Sequence, residues 1–228
     1  LGIYNPLILK WFTKPWHIDY QILYFYKFYN LFQSFFRKSI VFDTGIYKFL
    51  KTPYDQNNWL TKSLSPKRDK YMSSELFKLK NKSLINDEFY GLVKSSGRID
   101  VPLFLKIFRK FCVTNKNIIN QVFNYNKLII KKEYVKYNDI TASNIIFCEG
   151  PAVVNNPFFN WIKLKPIKGE LLHIYCKHLN LKKIIHASLL FVPLGDDIYS
   201  IGSTYDWSSD DKHITSNARE KISSIFEK

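Results

Sequence analysis

The first candidate for chemistry in this sequence is a glycine that follows a strongly apolar run. Ile145-Ile146-Phe147-Cys148 contains no charged residue and leads into Glu149-Gly150-Pro151. Such a run predicts a strand buried on both faces of a parallel sheet. A glycine at its end lets a ligand approach the backbone, and open α/β sheets bind ligands beyond the carboxyl ends of their strands. Gly150 is therefore a candidate contact for a cofactor phosphate or ribose, and an ordinary turn glycine is an equally good interpretation.

A metal site is the next possibility, because His173, Cys176 and His178 are close together in the sequence. The stretch alternates like a strand, and in a strand His173 and Cys176 point to opposite faces. We therefore expect no metal site here. The sequence also contains no convincing catalytic triad, paired-carboxylate motif or P-loop. Side-chain chemistry alone therefore identifies no reaction.

The composition is that of a globular protein with an excess of positive charge. Hydrophobic residues make up 46% and aromatic residues 17% of the 228 residues, and the formal net charge is +15. Nucleic-acid surfaces favour arginine and cluster their charge. Here the cations are spread out and mostly lysine, and the arginines are Arg37, Arg68, Arg98, Arg109 and Arg219. We expect no nucleic-acid partner, although a nucleic-acid-binding or tRNA-modifying protein remains an alternative.

Cysteine use and hydropathy predict a cytoplasmic protein. Cys112, Cys148 and Cys176 are odd in number and far apart, which suits a reducing compartment better than a disulfide framework. No apolar run reaches the roughly 18 residues that a membrane-spanning helix needs. The chain begins at Leu1 and its sole methionine is Met72, so we expect an internal piece of a longer protein.

Hydrophobic periodicity predicts both helices and strands. Apolar residues recur at helical spacing between His17 and Lys38, and Pro102 is well placed to open a second helix. Residues 51–87 are polar and predict a surface excursion with short helices. Strands are expected at 39–45, 89–93, 127–130, 142–148, 170–175, 187–194 and 198–204. These patterns predict a parallel-type unit with a helix over about 97–152, followed by an antiparallel sheet over about 160–206.

Four motifs occur in order along nearly the whole chain. They are Gly2-Ile3-Tyr4-Asn5-Pro6, Gly97–Pro102, Ile145–Gly150, and Lys165–Glu170 followed by Val192-Pro193 and Ile201–Thr204. Together they resemble the motifs of flavin-dependent oxidoreductases of the glycine/D-amino-acid oxidase family. The second is similar to the family's G-x-hydrophobic-D-P entry to a helix, and the fourth to its P-x-K-G-[QE]…P…G-x-T series. The third resembles a strand ending in A-x-G.

This resemblance implies a fold of the α/β plus α+β class. A partial FAD/NAD(P)-binding Rossmann-like domain would be formed by 1–38 and 96–152. A substrate domain with a mixed or antiparallel sheet would be formed by 39–95 and 153–228. The implied cofactor is FAD, and the implied reaction is hydride transfer to the flavin from a C–H next to an amine or hydroxyl of a small, amino-acid-like substrate. A relative that keeps the fold as a scaffold without cofactor is a second alternative.

The resemblance also assigns candidate site residues. Asn5, Pro6 and Lys10 would lie in the loop that reaches the flavin ring, where a lysine cation would stabilise the anionic reduced flavin. The remaining candidates are Val122 at the adenine, Cys148, Glu149 and Gly150 at the cofactor, and Thr204, Tyr205 and Trp207 facing the substrate. Three features depart from the family: Glu149 replaces a small residue, the G-x-G-x-x-G fingerprint for the cofactor pyrophosphate is absent from these residues, and so is the family's C-terminal glycine-rich segment that closes over the flavin.

Overall fold

The computed structural model describes residues 2–79, 88–207 and 213–226. Contacts divide the chain into two compact units. The larger unit consists of Leu1–Cys112, Glu170–Thr204 and Ile214–Lys228, and the smaller unit of Val113–Gly169 and Tyr205–His213. The predicted assignment of 1–38 and 96–152 to a cofactor domain, and of 39–95 and 153–228 to a substrate domain, stays a prediction.

The described residues form four α-helices and thirteen strands. The helices are α1 (Ile18–Phe36), α2 (Pro53–Ser63), α3 (Val101–Thr114) and α4 (Ser216–Phe226). The strands are β1 (Ile3–Tyr4), β2 (Val41–Phe42), β3 (Ile46–Leu50), β4 (Met72–Lys78), β5 (Phe89–Val93), β6 (Gly97–Ile99), β7 (Leu128–Ile130), β8 (Val135–Tyr137), β9 (Ile140–Ala142), β10 (Leu171–Tyr175), β11 (Ile184–His186), β12 (Leu190–Gly195) and β13 (Ile198–Gly202). None of the described helices combines the length and apolar character that crossing a membrane requires.

A seven-stranded mixed sheet forms the centre of the larger unit. Its strand order is β10-β13-β12-β11-β3-β5-β4. Strands β3 and β11 pair in parallel, whereas the other neighbours in this sheet are antiparallel. A second, three-stranded antiparallel sheet has the order β1-β6-β2. The parallel pair joins the chain segment before α2 to the segment that follows the smaller unit.

Local capping explains where α2 and α3 begin. Thr52 and Asp55 form a capping box at α2, with Pro53 in the first turn. Asp100 caps α3, because its carboxylate accepts a hydrogen bond of 2.9 Å from the Leu103 backbone N–H. The aspartate of the G-x-hydrophobic-D-P motif therefore has a structural role at this helix.

The core of the larger unit is built around a fully buried tryptophan. Trp59 of α2 is 0% exposed, and its indole N–H donates to the Ser73 carbonyl at 2.9 Å. Its ring lies against Gly91 of β5, where an added Cβ would come within 2.2 Å of the ring. A glycine is therefore required at this position for the helix to pack on the sheet.

The smaller unit is organised differently. Strands β7, β8 and β9 form an antiparallel meander, and 3₁₀ helices span Tyr125–Lys127 and Gly150–Asn155. Phe123 stacks on Tyr137, and Phe147 meets both Phe123 and Phe158. These rings are only partly buried. The unit therefore rests on aromatic contacts near its surface.

The structure confirms the mixed α/β class and most of the predicted elements. The helices after His17 and at Pro102 are present, and so are the strands predicted near 89–93, 127–130, 170–175 and 198–204. Gly195-Asp196-Asp197 joins two antiparallel strands, as predicted. Strand β4, at the edge of the large sheet, was not predicted within the polar stretch 51–87.

Two predictions about strands are wrong, and a third strand begins later than predicted. Ile145–Cys148 forms no strand, because no described segment pairs with it; Ile146 is exposed and its neighbours Ile145 and Phe147 are half-buried. The strand expected over 187–194 is β12, which begins only at Leu190, because the chain turns at Ala187, whose N–H donates to the Leu189 carbonyl. The described strands within 97–152 pair antiparallel rather than parallel.

Candidate functional site

An open depression of about 390 Å³ in the larger unit combines apolar walls with polar side chains. Its lining residues are Ile3, Asn5, Leu9, Lys10, Ile46, Lys48, His186 and Leu190. None of these is acidic, and two are lysines. The depression therefore offers an apolar surface for a small molecule and a positively charged edge.

The parallel strand pair positions the two ionisable groups at the centre of this depression. Lys48 of β3 and His186 of β11 are direct partners in the register. Residues opposite each other in a sheet point to the same face, so both side chains face the depression. The Lys48 Nζ lies 3.3 Å from the His186 Nδ1. Strand pairing thus holds an amine and an imidazole in hydrogen-bond reach.

Electrostatics decides which member of this pair carries the charge. Burial, and then the positive charge of Lys48, lowers the pKa of His186 to about 4. Burial also lowers the pKa of Lys48, while the charge of Asp55 opposes that shift. At neutral pH His186 is therefore neutral, and in the tautomer whose Nδ1 carries no proton it can accept a hydrogen bond from the Lys48 ammonium. The pair holds one positive charge rather than two.

The N-terminal loop brings two of the predicted residues to the same depression. Asn5 forms a turn on Leu7: its amide donates to the Leu7 carbonyl at 2.8 Å and accepts from the Leu7 N–H at 3.1 Å. Pro6 is fully buried and anchors the loop. Lys10 is exposed, with its Nζ 4.7 Å from the centre of the Trp11 ring. Asn5 and Lys10 thus line one depression with Lys48 and His186.

The predicted cofactor residues of the smaller unit form a separate group. Val122 is 93% exposed, and Cys148 is also exposed. Glu149 is held on both oxygens, since it accepts hydrogen bonds from the Tyr125 hydroxyl and, at 2.7 Å, from the Asn156 amide. The hydrogen bond to Glu149 raises the pKa of Tyr125. Glu149 therefore has a structural role in this unit.

Gly150 has a backbone conformation that favours glycine. Its φ is +57°, in the left-handed region that favours glycine, and no atom lies within 4 Å of where a Cβ would be. The backbone is thus open on that side. A cofactor contact and a turn glycine are both compatible with this geometry, and Gly150 stays a candidate.

The three predicted substrate-facing residues differ in their surroundings. The Thr204 hydroxyl accepts a hydrogen bond of 3.0 Å from the Glu170 N–H, and the Thr204 N–H donates to the Glu170 carbonyl at 3.1 Å. Thr204 therefore ties β13 to the start of β10. Tyr205 is 74% exposed, and the Trp207 ring has the Lys165 Nζ 5.5 Å from its centre. Their contact with substrate stays a prediction.

Sequence analysis did not find Lys48 and His186. Each is a polar residue next to apolar strand residues, in Ile46-Tyr47-Lys48 and Ile184-Ile185-His186. That local signal is weak, because lysines are abundant in this chain. Their pairing joins positions 138 residues apart, and no sequence motif indicates such a contact.

Comparison with solved structures identifies similar folds. The chain superimposes on the glycine oxidase from Geobacillus kaustophilus with a TM-score of 0.70 and 11% identity, covering 90% of this chain and 59% of that one. The iminodiacetate oxidase from Chelativorans sp. gives 0.67 and 12%, with 98% and 66% covered. The L-proline dehydrogenase from P. horikoshii gives 0.62 and 12%, with 90% and 60% covered.

These similarities concern the fold. The chain therefore has the mixed α/β fold of oxidases and dehydrogenases that are named for amino and imino acids, and it spans about 60% of the length of the glycine oxidase it matches. No family model matches the sequence.

Proposed function

We propose that this chain belongs to a FAD-dependent oxidoreductase that oxidises a C–H next to an amine or hydroxyl of a small, amino-acid-like substrate. The observation that carries the proposal is the depression in which Asn5 and Lys10, assigned to the flavin ring by resemblance, lie beside Lys48 and His186. The shared fold with glycine oxidase, iminodiacetate oxidase and L-proline dehydrogenase supports it.

The residues of the depression fit the ring end of the cofactor. Ile46 and Leu190 offer apolar walls to a flat ring, and Asn5 and Lys10 offer polar groups to its oxygen and nitrogen edge. The G-x-G-x-x-G loop that would hold the pyrophosphate is not among these 228 residues. The fit therefore covers the ring end alone. When bound, the flavin would supply the hydride acceptor that no side chain here provides.

The protein's own groups would orient the substrate and set the charge around it. Lys48 and Lys10 place positive charge at the edge of the depression, which favours anionic groups. His186, neutral at pH 7, accepts the hydrogen bond that orients Lys48. Holding the reactive C–H in one orientation lowers the barrier without an acid–base pair.

The decisive experiment is the visible absorption spectrum of the protein expressed from its complete gene. Flavin absorption that survives desalting, together with dye reduction by a panel of amino and hydroxy acids, is the expected result. Lys10→Met should shift the flavin reduction potential to more negative values, because a cation beside the ring is lost. Lys182→Met, which removes an exposed lysine from a depression on the other face of the sheet, is the matched control.

A colourless, folded protein that takes up no added FAD would overturn this proposal and favour a scaffold without cofactor. The proposal includes a small-molecule substrate and no nucleic-acid partner; steeply salt-dependent binding of RNA would contradict that part. It also includes a cytoplasmic location, which the odd number and wide spacing of Cys112, Cys148 and Cys176 support.

A further inference from the structure

We propose that Lys48, oriented by His186, binds the carboxylate of the substrate, so that the depression selects small organic anions over neutral molecules of the same shape. The inference deepens the proposed function and rests on it for the substrate class, since an amino or hydroxy acid carries a carboxylate next to the carbon that is oxidised. The anchoring residues are new: neither belongs to the motifs on which the resemblance depends.

Strand pairing makes Lys48 a better anchor than the other lysine of the depression. Lys48 is half-buried on β3, and its Nζ is held 3.3 Å from His186 of the neighbouring strand. Lys10 is exposed on a loop beside the Trp11 ring. An ammonium whose position is fixed loses less conformational entropy when it binds an anion. Lys48 is therefore preorganised and Lys10 is not.

Lys48 also has hydrogen-bonding capacity left for a ligand. An ammonium has three N–H donors. Within the part of the chain that the structure describes, Lys48 uses one of them in its hydrogen bond with His186. Two donors can therefore reach a carboxylate, which accepts hydrogen bonds on both oxygens. The depression is wide enough for a small molecule, at about 390 Å³.

The charge around Lys48 favours the binding of an anion. Lys48 is partly desolvated, and no ion pair to it is recorded among the described residues. Asp55 acts on it through charge alone. None of the lining residues is acidic, and Lys10 adds a second positive charge. A partly buried cation without a counterion is costly, so a ligand carboxylate would relieve a cost that already exists in the free protein.

His186 acts as a positioning residue in this arrangement. Because it is neutral at pH 7, its Nδ1 can accept from Lys48 without competing for the anion. A protonated imidazole would instead repel the ammonium. The charged group that acts on His186 is Lys48 from β3, and Asp55 of α2 acts on Lys48 in turn. Lys10 of the N-terminal loop lines the same depression.

The test is a titration of the protein expressed from its complete gene with glycolate and with glycolamide, its neutral analogue of the same shape, followed by NMR of the His186 ring. Saturable binding of glycolate, and none of glycolamide, is expected. Lys48→Met should weaken glycolate binding about tenfold or more, the loss of a charge-assisted hydrogen bond. Lys182→Met removes the same charge on the other face of the sheet and should leave binding unchanged.

The positioning role of His186 has its own measurements. His186→Gln keeps an acceptor and should retain most of the glycolate affinity, whereas His186→Phe should lower it. In the Lys48→Met protein the pKa of His186 should rise from about 4 toward its ordinary value. Equal affinity of the Gln and Phe variants would overturn this role. Equal affinity of the wild type and Lys48→Met, or tight glycolamide binding, would overturn the anchor.

The two proposals fail in different experiments, because glycolate binding needs no flavin. A protein that binds glycolate through Lys48 and yet takes up no FAD contradicts the proposed oxidoreductase. A flavoprotein whose glycolate affinity is the same in the wild type and in Lys48→Met contradicts only the proposal that Lys48 binds the carboxylate.

Discussion

The two compact units reach stability by different means. The larger unit has a continuous core of buried apolar side chains, including Trp59, Ile46 and Ile184 at 0–1% exposure. Among the described residues of the smaller unit, the buried side chain is a polar one, Asn156. Its amide links Glu149 to the backbone N–H of Phe158.

The larger unit is therefore ordered mainly by hydrophobic burial, and the smaller unit mainly by local hydrogen bonds. Burial of apolar area is the dominant favourable term in folding, so the larger unit should be hard to open. The smaller unit depends on partly exposed rings and a few hydrogen bonds, and should open more easily. The depression with Lys48 and His186 lies in the larger unit, where a rigid sheet can hold a preorganised site.

The largest expected effect is the loss of the central tryptophan. Trp59→Ala should lower the free energy of unfolding by about 3–5 kcal/mol, because it leaves a cavity and removes the hydrogen bond to Ser73. Trp161→Ala in the smaller unit, where the ring is 73% exposed, should change it by less than about 0.5 kcal/mol. Urea unfolding of both variants measures the contrast. Equal losses would show that the two units do not differ as described.

A methyl group added at Gly91, on the other side of the contact with Trp59, should lower the free energy of unfolding somewhat less. Gly91→Ala places a Cβ 2.2 Å from the Trp59 ring, which is enclosed and cannot move away. Overpacking of this kind should cost about 2–3 kcal/mol. In a Trp59→Ala background the same substitution should be nearly neutral. A cost that persists in that background would place its origin in the β5 backbone instead.

In the smaller unit, Asn156→Ala should act locally. The substitution leaves a Glu149 oxygen and the Phe158 N–H without their partner. This should lower the free energy of unfolding of the smaller unit by about 1–2 kcal/mol. Hydrogen exchange should accelerate within 113–169 and stay unchanged in β3, β5 and β11. Asn126→Ala, an exposed site in the same unit, is the control. Faster exchange throughout the chain would mean that the units unfold together.

The smallest effect is the pH dependence contributed by His186. Its pKa is lowered to about 4 from an ordinary 6.5, so the unfolded chain binds a proton more readily. Its contribution to stability is therefore complete above pH 6.5 and is lost as the pH falls toward 4. Allowing for partial solvent exposure, this is on the order of 1 kcal/mol. Subtracting the stability curve of His186→Gln isolates it. A flat difference between pH 4 and 7 would contradict the buried, neutral imidazole.

Much of the local structure could be predicted from the sequence. The periodicity after His17, the proline at 102 and the Gly195-Asp196-Asp197 turn act through neighbouring residues, and each produced the expected helix or hairpin. The motif order also led to the fold that the solved structures share. Such signals are short-range, so a single sequence carries them.

The errors and omissions arise from long-range pairing. Ile145–Cys148 has the composition of a buried strand, but a strand forms when a neighbour satisfies its backbone hydrogen bonds, and composition does not specify the neighbour. Strand β4 shows the converse, since a polar segment joined the sheet beside β5.

The sequence by itself determined the class of fold, the main helices and hairpins, and the loop residues Asn5 and Lys10 as candidates. Only the tertiary structure placed Lys48 opposite His186 and both beside that loop. The physical reason is that the parallel pair β3–β11 is formed across more than half of the chain. The position and charge of its two side chains, including the lowered pKa of His186, follow from burial in a folded sheet.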